Sequence, residues 1–366
     1  MKIYLVPFTI VALILSAITF FVLNDYKIYP INKATQENLP RIKKDPVVVK
    51  NDSIKIGQQL APLPLTYEIP SAAYVGQTFN NCGPATLSMV MSYFGKSVSQ
   101  DVLRDQIRPY NNPQGGVDDK SLFADEFVKY AKQYGFEGIQ RPDGDVTLLK
   151  TLIANDIPII VRTWLHPNED IGHFRIVRGY DENGFIQDDS YEGRGLRFDY
   201  ATFEQMWKPF NHGYIVIFPK EKEEQVFSIL GGVINERKAY LSSLQSNWNE
   251  NDGYELFNLS AANYHLGDYQ KAVAFFEKAQ VKGLPSRMLW YQIEPIEAYL
   301  KIKNYTKVFE LTDIVLNNGN LAFSELYFLR GQAYLEQGQK EMARGEFDKA
   351  IKYNKSFEEK VKAISL

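Results

Sequence analysis

The chain contains one thiol, Cys82, and four imidazoles in 366 residues. A single cysteine can form neither an internal disulfide nor a Cys-rich zinc site, so Cys82 is either a small buried hydrophobe or a reactive nucleophile. From Gln77 the chain reads QTFNNCGPATLSMVMSYFG. Pro84 near the start, with Leu87, Val90, Met91 and Phe94 at helical spacing, predicts a helix with one buried face that Gly95 ends. Cys82 then stands at or just before the helix N-terminus, where outward-pointing backbone N–H groups and the helix dipole favour an anion and depress a thiol pKa. A thiolate is the species that attacks carbonyl carbon. Gln77, upstream, carries an amide that can reach the same point, so Gln77 and the Cys82 backbone N–H are candidates for an oxyanion hole.

A base and its orienter come from a later segment, WLHPNEDIGHFRIVRGYDENGFIQDDSYEG. His173 opens a strand-like run, Asp181-Glu182-Asn183-Gly184 is a turn signal, and Phe185-Ile186 begins a return strand ending at Asp188-Asp189. An antiparallel hairpin brings imidazole and carboxylate together, so His173 can take the thiol proton and later protonate a leaving amine while an aspartate holds its ring. If Tyr180 pairs with Phe185, Asp189 falls opposite Ile176 and reaches His173 only through a bulge or a strong twist. The other histidines, His166, His212 and His265, read as surface or capping residues. His166, Glu169 and Asp170 are placed to border a substrate cleft, and Trp164 is either an apolar wall or core. No HExxH, CxxC or phosphate-binding glycine loop occurs, and Gly115-Gly116 reads as a turn. Neither a metal nor a cofactor is assigned.

Gln77, then Asn-Cys-Gly-Pro-Ala opening a helix, then Gly-His-Phe on a strand and Asp-Asp-Ser-Tyr after it resemble the C39-like branch of the papain-like cysteine peptidases. The resemblance covers roughly residues 65–220. It implies an α+β papain-like domain, with the nucleophile on the N-terminal helix and His and Asp on an antiparallel sheet. By that likeness Cys82 is the nucleophile, His173 the general base, Asp189 its orienter and Gln77 the oxyanion-hole donor, with Asp188 as the fallback for Asp189. Ser190 stands where the family more often has Pro. The implied reaction is hydrolysis of a peptide or protein substrate through a thioester. The alternatives are an acyl or peptidyl transferase on the same chemistry, and an inactive membrane-tethered scaffold. Glu224–Gly232 also resembles a double-glycine leader, which would make Gly231-Gly232 a self-processing site; the plainer reading is a glycine pair between helices.

The remaining sequence supplies an anchor, a tether and a second module. Ile3–Leu23 is an uncharged run of 21 residues, long enough to span a bilayer as a transmembrane signal-anchor, a cleaved signal being the alternative. Basic residues after the run outnumber Lys2 before it, which by charge would keep the bulk inside. An N-terminal run with little chain before it resembles an export anchor, however, and long domains translocate largely regardless of charge, so the expected placement is extracytoplasmic. Residues 24–64 form a Pro- and Lys-containing linker, although Val47-Val48-Val49 and the stretch near Leu65–Tyr67 can pair as edge strands. A connecting helical segment is expected over 221–252. Over 253–366, Tyr264, Tyr299 and Tyr334 recur at a fixed interval, and LFNLSAANYHLGDYQKAVAFFEKA and LYFLRGQAYLEQGQKEMARGEFDKA resemble tetratricopeptide repeats, about three in all. Glu294-Pro295 and Asn304, the latter where a turn glycine is expected, predict a distorted middle unit. The repeats suit a protein partner. With 41 Lys+Arg against 44 Asp+Glu, a net charge of -3 argues against nucleic acid.

Overall fold

The computed structural model describes residues 63–107, 122–246 and 248–364. The expected anchor, nearly all of the tether, Val47–Val49 and Gly115-Gly116 lie outside the described residues. Among the described residues no helix is long and apolar enough to cross a membrane.

One antiparallel sheet organises the first module. Its strands are β1 (Tyr67–Glu68), β2 (Phe136–Arg141), β3 (Ile159–Trp164), β4 (Gly172–Tyr180), β5 (Gly184–Asp189), β6 (Gly193–Asp199) and β7 (Tyr214–Pro219). They lie in the order β2-β7-β3-β4-β5-β6, with β1 paired to the end of β4, so the edge strand expected near Tyr67 forms. Successive side chains of a strand face opposite ways. Ile159, Val161, Val216 and Phe218 therefore enter one core, which also takes residues of α4 (Val146–Ile153), α5 (Tyr200–Trp207) and α6 (Glu223–Leu230). Ile160, Phe174, Ile176, Ile215 and Ile217 enter a second core with α1 (Cys82–Ser92), α2 (Gln100–Ile107) and α3 (Ala124–Lys132). Burial on both faces explains why β7 reads as a continuous apolar run.

Helix α1 corrects the one-sided helix expected, because Gly83 through Met91 are all buried. It lies between β4 on one side and α2 and α3 on the other. Pro84 sits in its first turn, where a missing N–H leaves no helical bond unmade, and Gly95 follows its end at φ +77°.

Two helices, α6 and α7 (Glu236–Gln245), lead into three antiparallel pairs: α8 (Gly253–Leu266) with α9 (Tyr269–Val281), α10 (Glu294–Lys301) with α11 (Tyr305–Leu316), and α12 (Ser324–Glu336) with α13 (Lys340–Tyr353). The short α14 (Phe357–Lys362) follows. Small residues permit the close approach within a pair: a Cβ on Gly331 would fall 2.5 Å from the Phe347 ring. In the middle unit the left-handed turn position is held by Lys303 at φ +61°, where the flanking units use Gly267 and Gly338. Asn304 instead caps α11 by accepting from the Lys307 N–H, and Pro295 lies harmlessly in the first turn of α10. The middle unit departs from its neighbours at these points yet keeps its helix pair.

Candidate active site

Cys82 is the first residue of α1, and the loop before it is pinned from two sides. Asn81, fully buried, donates from Nδ2 to Thr78 Oγ1 at 2.6 Å. Gln100 of α2 accepts from the Thr78 N–H at 3.0 Å and donates to the Gly76 carbonyl at 2.7 Å. These bonds fix where the chain enters the helix, and so where the thiol stands.

His173 is the second residue of β4 and only 4% exposed. Its Nε2 lies 2.9 Å from Asp189 Oδ1, and the Cys82 side chain hydrogen-bonds the same imidazole. Burial opposes charge on this ring, but the hydrogen bonds and charges of Asp189 and Cys82 outweigh it and raise the His173 pKa to about 9. Asp189 is completely buried. Burial alone would favour its protonated form. The bond to His173, Arg175 Nε at 2.6 Å, and the backbone N–H groups of Tyr191 at 2.7 Å and Glu192 at 3.0 Å reverse this and hold the carboxyl well below the usual carboxylate range. Arg175, itself fully buried, also donates to Thr163 Oγ1 and to the carbonyls of Trp164 and Leu165, which anchors the carboxylate to the end of β3.

The hairpin register decides which aspartate meets His173. Tyr180 pairs with Phe185, as the turn predicts, and the Asp181 carboxylate closes the turn by accepting from the N–H groups of Asn183 and Gly184. Val177 pairs with Gln187 but Gly179 with Ile186, so Arg178 is an extra residue bulged out of β4. Beyond it Arg175, not Ile176, faces Asp189. Residues 173 and 175 share a face, so the bulge brings Asp189 to the side of His173 and turns Asp188 away. The fallback Asp188 is engaged elsewhere: it accepts from Ser71 Oγ at 2.8 Å, Tyr93 OH at 2.7 Å, Arg178 Nε at 2.9 Å and the Gly195 N–H at 3.1 Å.

Gln77 lies beside the same constellation. Its backbone N–H donates to the Ser190 carbonyl, and Ser190 Oγ donates to Gln77 Oε1, both at 2.8 Å. Ser190 thus occupies the Gln77 amide oxygen and ties this residue to the end of β5.

Sequence reasoning anticipated a bulge or a strong twist but not its place at Arg178, and it missed Arg175 and the Ser190 hydroxyl. Two arginines inside the run GHFRIVRGY were the available signal, because a charge in a buried strand requires a partner. Trp164 is core, at 4% exposure, edge-on to Phe210. His166 lies between Glu169 and Glu192 at 3.1 Å from each, His212 pairs with Glu204, and His265 stacks on Tyr240. In the leader-like segment Val226 and Leu230 are buried in the sheet core, and Gly231-Gly232 joins two helical stretches, which matches the plainer reading.

A family model described as "Peptidase_C39 like family" matches residues 59–215, and two tetratricopeptide-repeat models match residues 256–280 and 324–357. No curated protein matches the chain. Among solved structures, a protein from Bacillus anthracis described as a C39-like peptidase is 14% identical, covering 42% of this chain and 98% of its own, with a TM-score of 0.37. The peptidase domain of Streptococcus ComA, a bi-functional ABC transporter involved in a quorum-sensing pathway, is 27% identical, covering 40% of this chain and 100% of its own, with a TM-score of 0.32. By the family models, then, residues 59–215 match the C39-like peptidase family and two stretches of the helical region after them match tetratricopeptide repeats.

Proposed function

We propose that this protein is a cysteine peptidase that hydrolyses peptide bonds through Cys82, His173 and Asp189, with its repeats engaging a partner or the substrate. The carrying observation is the buried imidazole of His173, which Asp189 and Cys82 both hydrogen-bond. In this reading the Cys82 thiolate attacks the scissile carbonyl carbon, and the oxyanion takes hydrogen bonds from the Cys82 N–H and the Gln77 amide. Protonated His173 then gives its proton to the leaving nitrogen as the C–N bond breaks, which leaves a thioester and a free amine. Neutral His173 next takes a proton from water, whose oxygen attacks the thioester carbonyl, and the acid product leaves as the thiolate re-forms. Asp189 keeps the ring oriented and stabilises its charge throughout, and Arg175 holds Asp189.

The test is turnover of a peptide library, read by mass spectrometry, beside alkylation of Cys82 across pH in the wild type and His173→Ala. Cleavage that Cys82→Ala abolishes, with a thiol that reacts well below pH ~8 only when His173 is present, supports the reading. Ligated product on adding an amine acceptor would move it to a transferase. An ordinary thiol titration without turnover would leave a scaffold that acts through its repeats.

The proposal extends to place. The uncharged run Ile3–Leu23 supports a single-pass anchor, with the folded modules outside the cytoplasm. Retention of the full chain in alkali-washed membranes, with the modules open to protease added from outside, is the expected result; release by the wash or protection from the protease would overturn it.

A further inference from the structure

The repeat region touches the strand that carries His173. The 3-10 turn Ser286–Trp290, between α9 and α10, delivers Tyr291, which is 5% exposed. Its hydroxyl donates to the Asp170 carbonyl at 3.1 Å and accepts from the Gly172 N–H at 2.8 Å and from Arg287 Nε at 3.4 Å, which uses its one donor and both acceptor positions. The ring presses on Gly172, where a Cβ would fall 2.8 Å from Tyr291 Cε1, so a side chain at Gly172 would displace it. Trp164 and Phe210 flank the ring at centroid distances of 6.0 and 5.6 Å. Gly172 directly precedes His173 and forms the last pair of the β3–β4 ladder, opposite Trp164.

The backbone of the same tyrosine reaches the cysteine side. Its carbonyl accepts from Arg162 Nη1 at 3.1 Å, and the Arg162 guanidinium lies 4.3 Å from the ring of Phe174, the residue after His173. Arg162 also donates to the Leu122 carbonyl, and the Leu122 side chain packs where a Cβ on Gly83, next to Cys82, would come within 3.0 Å.

We propose that Tyr291 is a positioning residue of the peptidase site, which makes the repeat module a structural part of the catalytic centre as well as a binding surface. The inference rests on the peptidase reading of Cys82 and His173. At the end of its ladder His173 has sheet pairing on one side only, and Tyr291 supplies the missing constraint by gripping Gly172 through ring and hydroxyl together. A displacement of about 1 Å in such a base costs on the order of a hundredfold in rate. The charged and titratable groups facing the Cys82–His173 pair are Asp189, with Arg175 and Glu192 around it, and Arg162, which in turn faces Glu126 of α3 and Glu294 of α10. Tyr291→Phe alters no charge among them at neutral pH, so any change in the pH profile reports displacement.

The experiment uses the full chain and compares wild type, Tyr291→Phe and Tyr291→Ala by peptide turnover and by Cys82 alkylation across pH. The control is Tyr327→Phe, which also loses a buried hydroxyl bond, to the Leu321 carbonyl, in the last repeat. For Tyr291→Phe, kcat is expected to fall about tenfold, as losing the bond to the Gly172 N–H, the one of the hydroxyl's three that reaches β4 itself, implies, with KM unchanged and the alkaline limb of the alkylation profile moved to lower pH. Tyr291→Ala is expected to fall about a hundredfold, and Tyr327→Phe to match wild type. Thermal melts of the same samples separate displacement from unfolding. An active wild type with Tyr291→Phe unchanged in both rate and pH profile overturns the positioning role alone. A wild type whose thiol titrates ordinarily overturns the peptidase reading, and this inference with it.

Discussion

His173 can keep its charge in a buried position only because two partners surround it, and this makes the site sensitive to pH from both ends. Its pKa is raised from 6.5 to about 9, so the stability it contributes is fully present below the unfolded value and is lost as pH rises through about 9. Asp189 has a depressed pKa, so its contribution is present above the unfolded value of about 3.9 and is lost as pH falls toward its folded value. In urea titrations the wild type should lose on the order of 3 kcal/mol between pH ~7 and ~10 that His173→Gln does not lose; equal losses in the two proteins would show that the imidazole is not the titrating group. The Ser190 hydroxyl is a finer adjustment. Ser190→Ala removes the donor that fixes the Gln77 amide, letting its oxygen and nitrogen exchange places, so kcat is expected to drop about five- to tenfold, less than outright loss of an oxyanion donor. Ser190→Thr, which keeps the hydroxyl, should recover most of the rate.

At the scale of elements the β4–β5 hairpin determines which carboxylate meets the base. Its turn was legible from Asp181-Glu182-Asn183-Gly184, and so was the start of α1 from Pro84, because both depend on neighbours in sequence. The need for a bulge or a strong twist was legible too, but not where the register would shift. Simple pairing puts Asp189 on the face away from His173, and only the bulge at Arg178 reverses this. What holds the bulge is distant in the chain: Arg178 is bound by Asp188, by Glu68 of β1 and by the carbonyl of Ile69. The fallback Asp188 thus belongs to the site indirectly, by stabilising the bulge that excludes it. Arg178→Leu strands the Asp188 carboxylate beside a lost partner. It should cost about 3 kcal/mol in urea melts, as for breaking a buried pair, and should lower turnover although residue 178 does not touch His173. Loss of stability with unchanged turnover would show that the register survives without that clamp.

The whole molecule does not divide where its sequence texture changes. The shift to helical composition after Pro219 marks a boundary in pattern, yet Val226 and Leu230 of α6 are buried among Val161, Phe203 and Trp207 of the sheet module. The repeats were legible from their recurring tyrosines. The middle unit was obscured because Lys303, and not a glycine, occupies its left-handed turn, and that unit lies between the two tetratricopeptide matches. No sequence period could reveal Tyr291, which lies outside the helices and contacts residues more than a hundred positions away. Two truncations follow from this anatomy. A fragment of residues 63–219 loses the burial of Val226 and Leu230, worth about 1.5–3 kcal/mol each, and should melt well below the longer forms or fail to fold. A fragment of residues 63–245 restores that helix while still lacking Tyr291, which leaves the Gly172 N–H without its acceptor and opens the faces of Trp164 and Phe210. It should fold, and its Cys82 should alkylate more slowly than in the full chain at neutral pH. If residues 63–245 react as fast as the full chain, the repeats serve recognition alone, and the catalytic strand is held by the sheet without them.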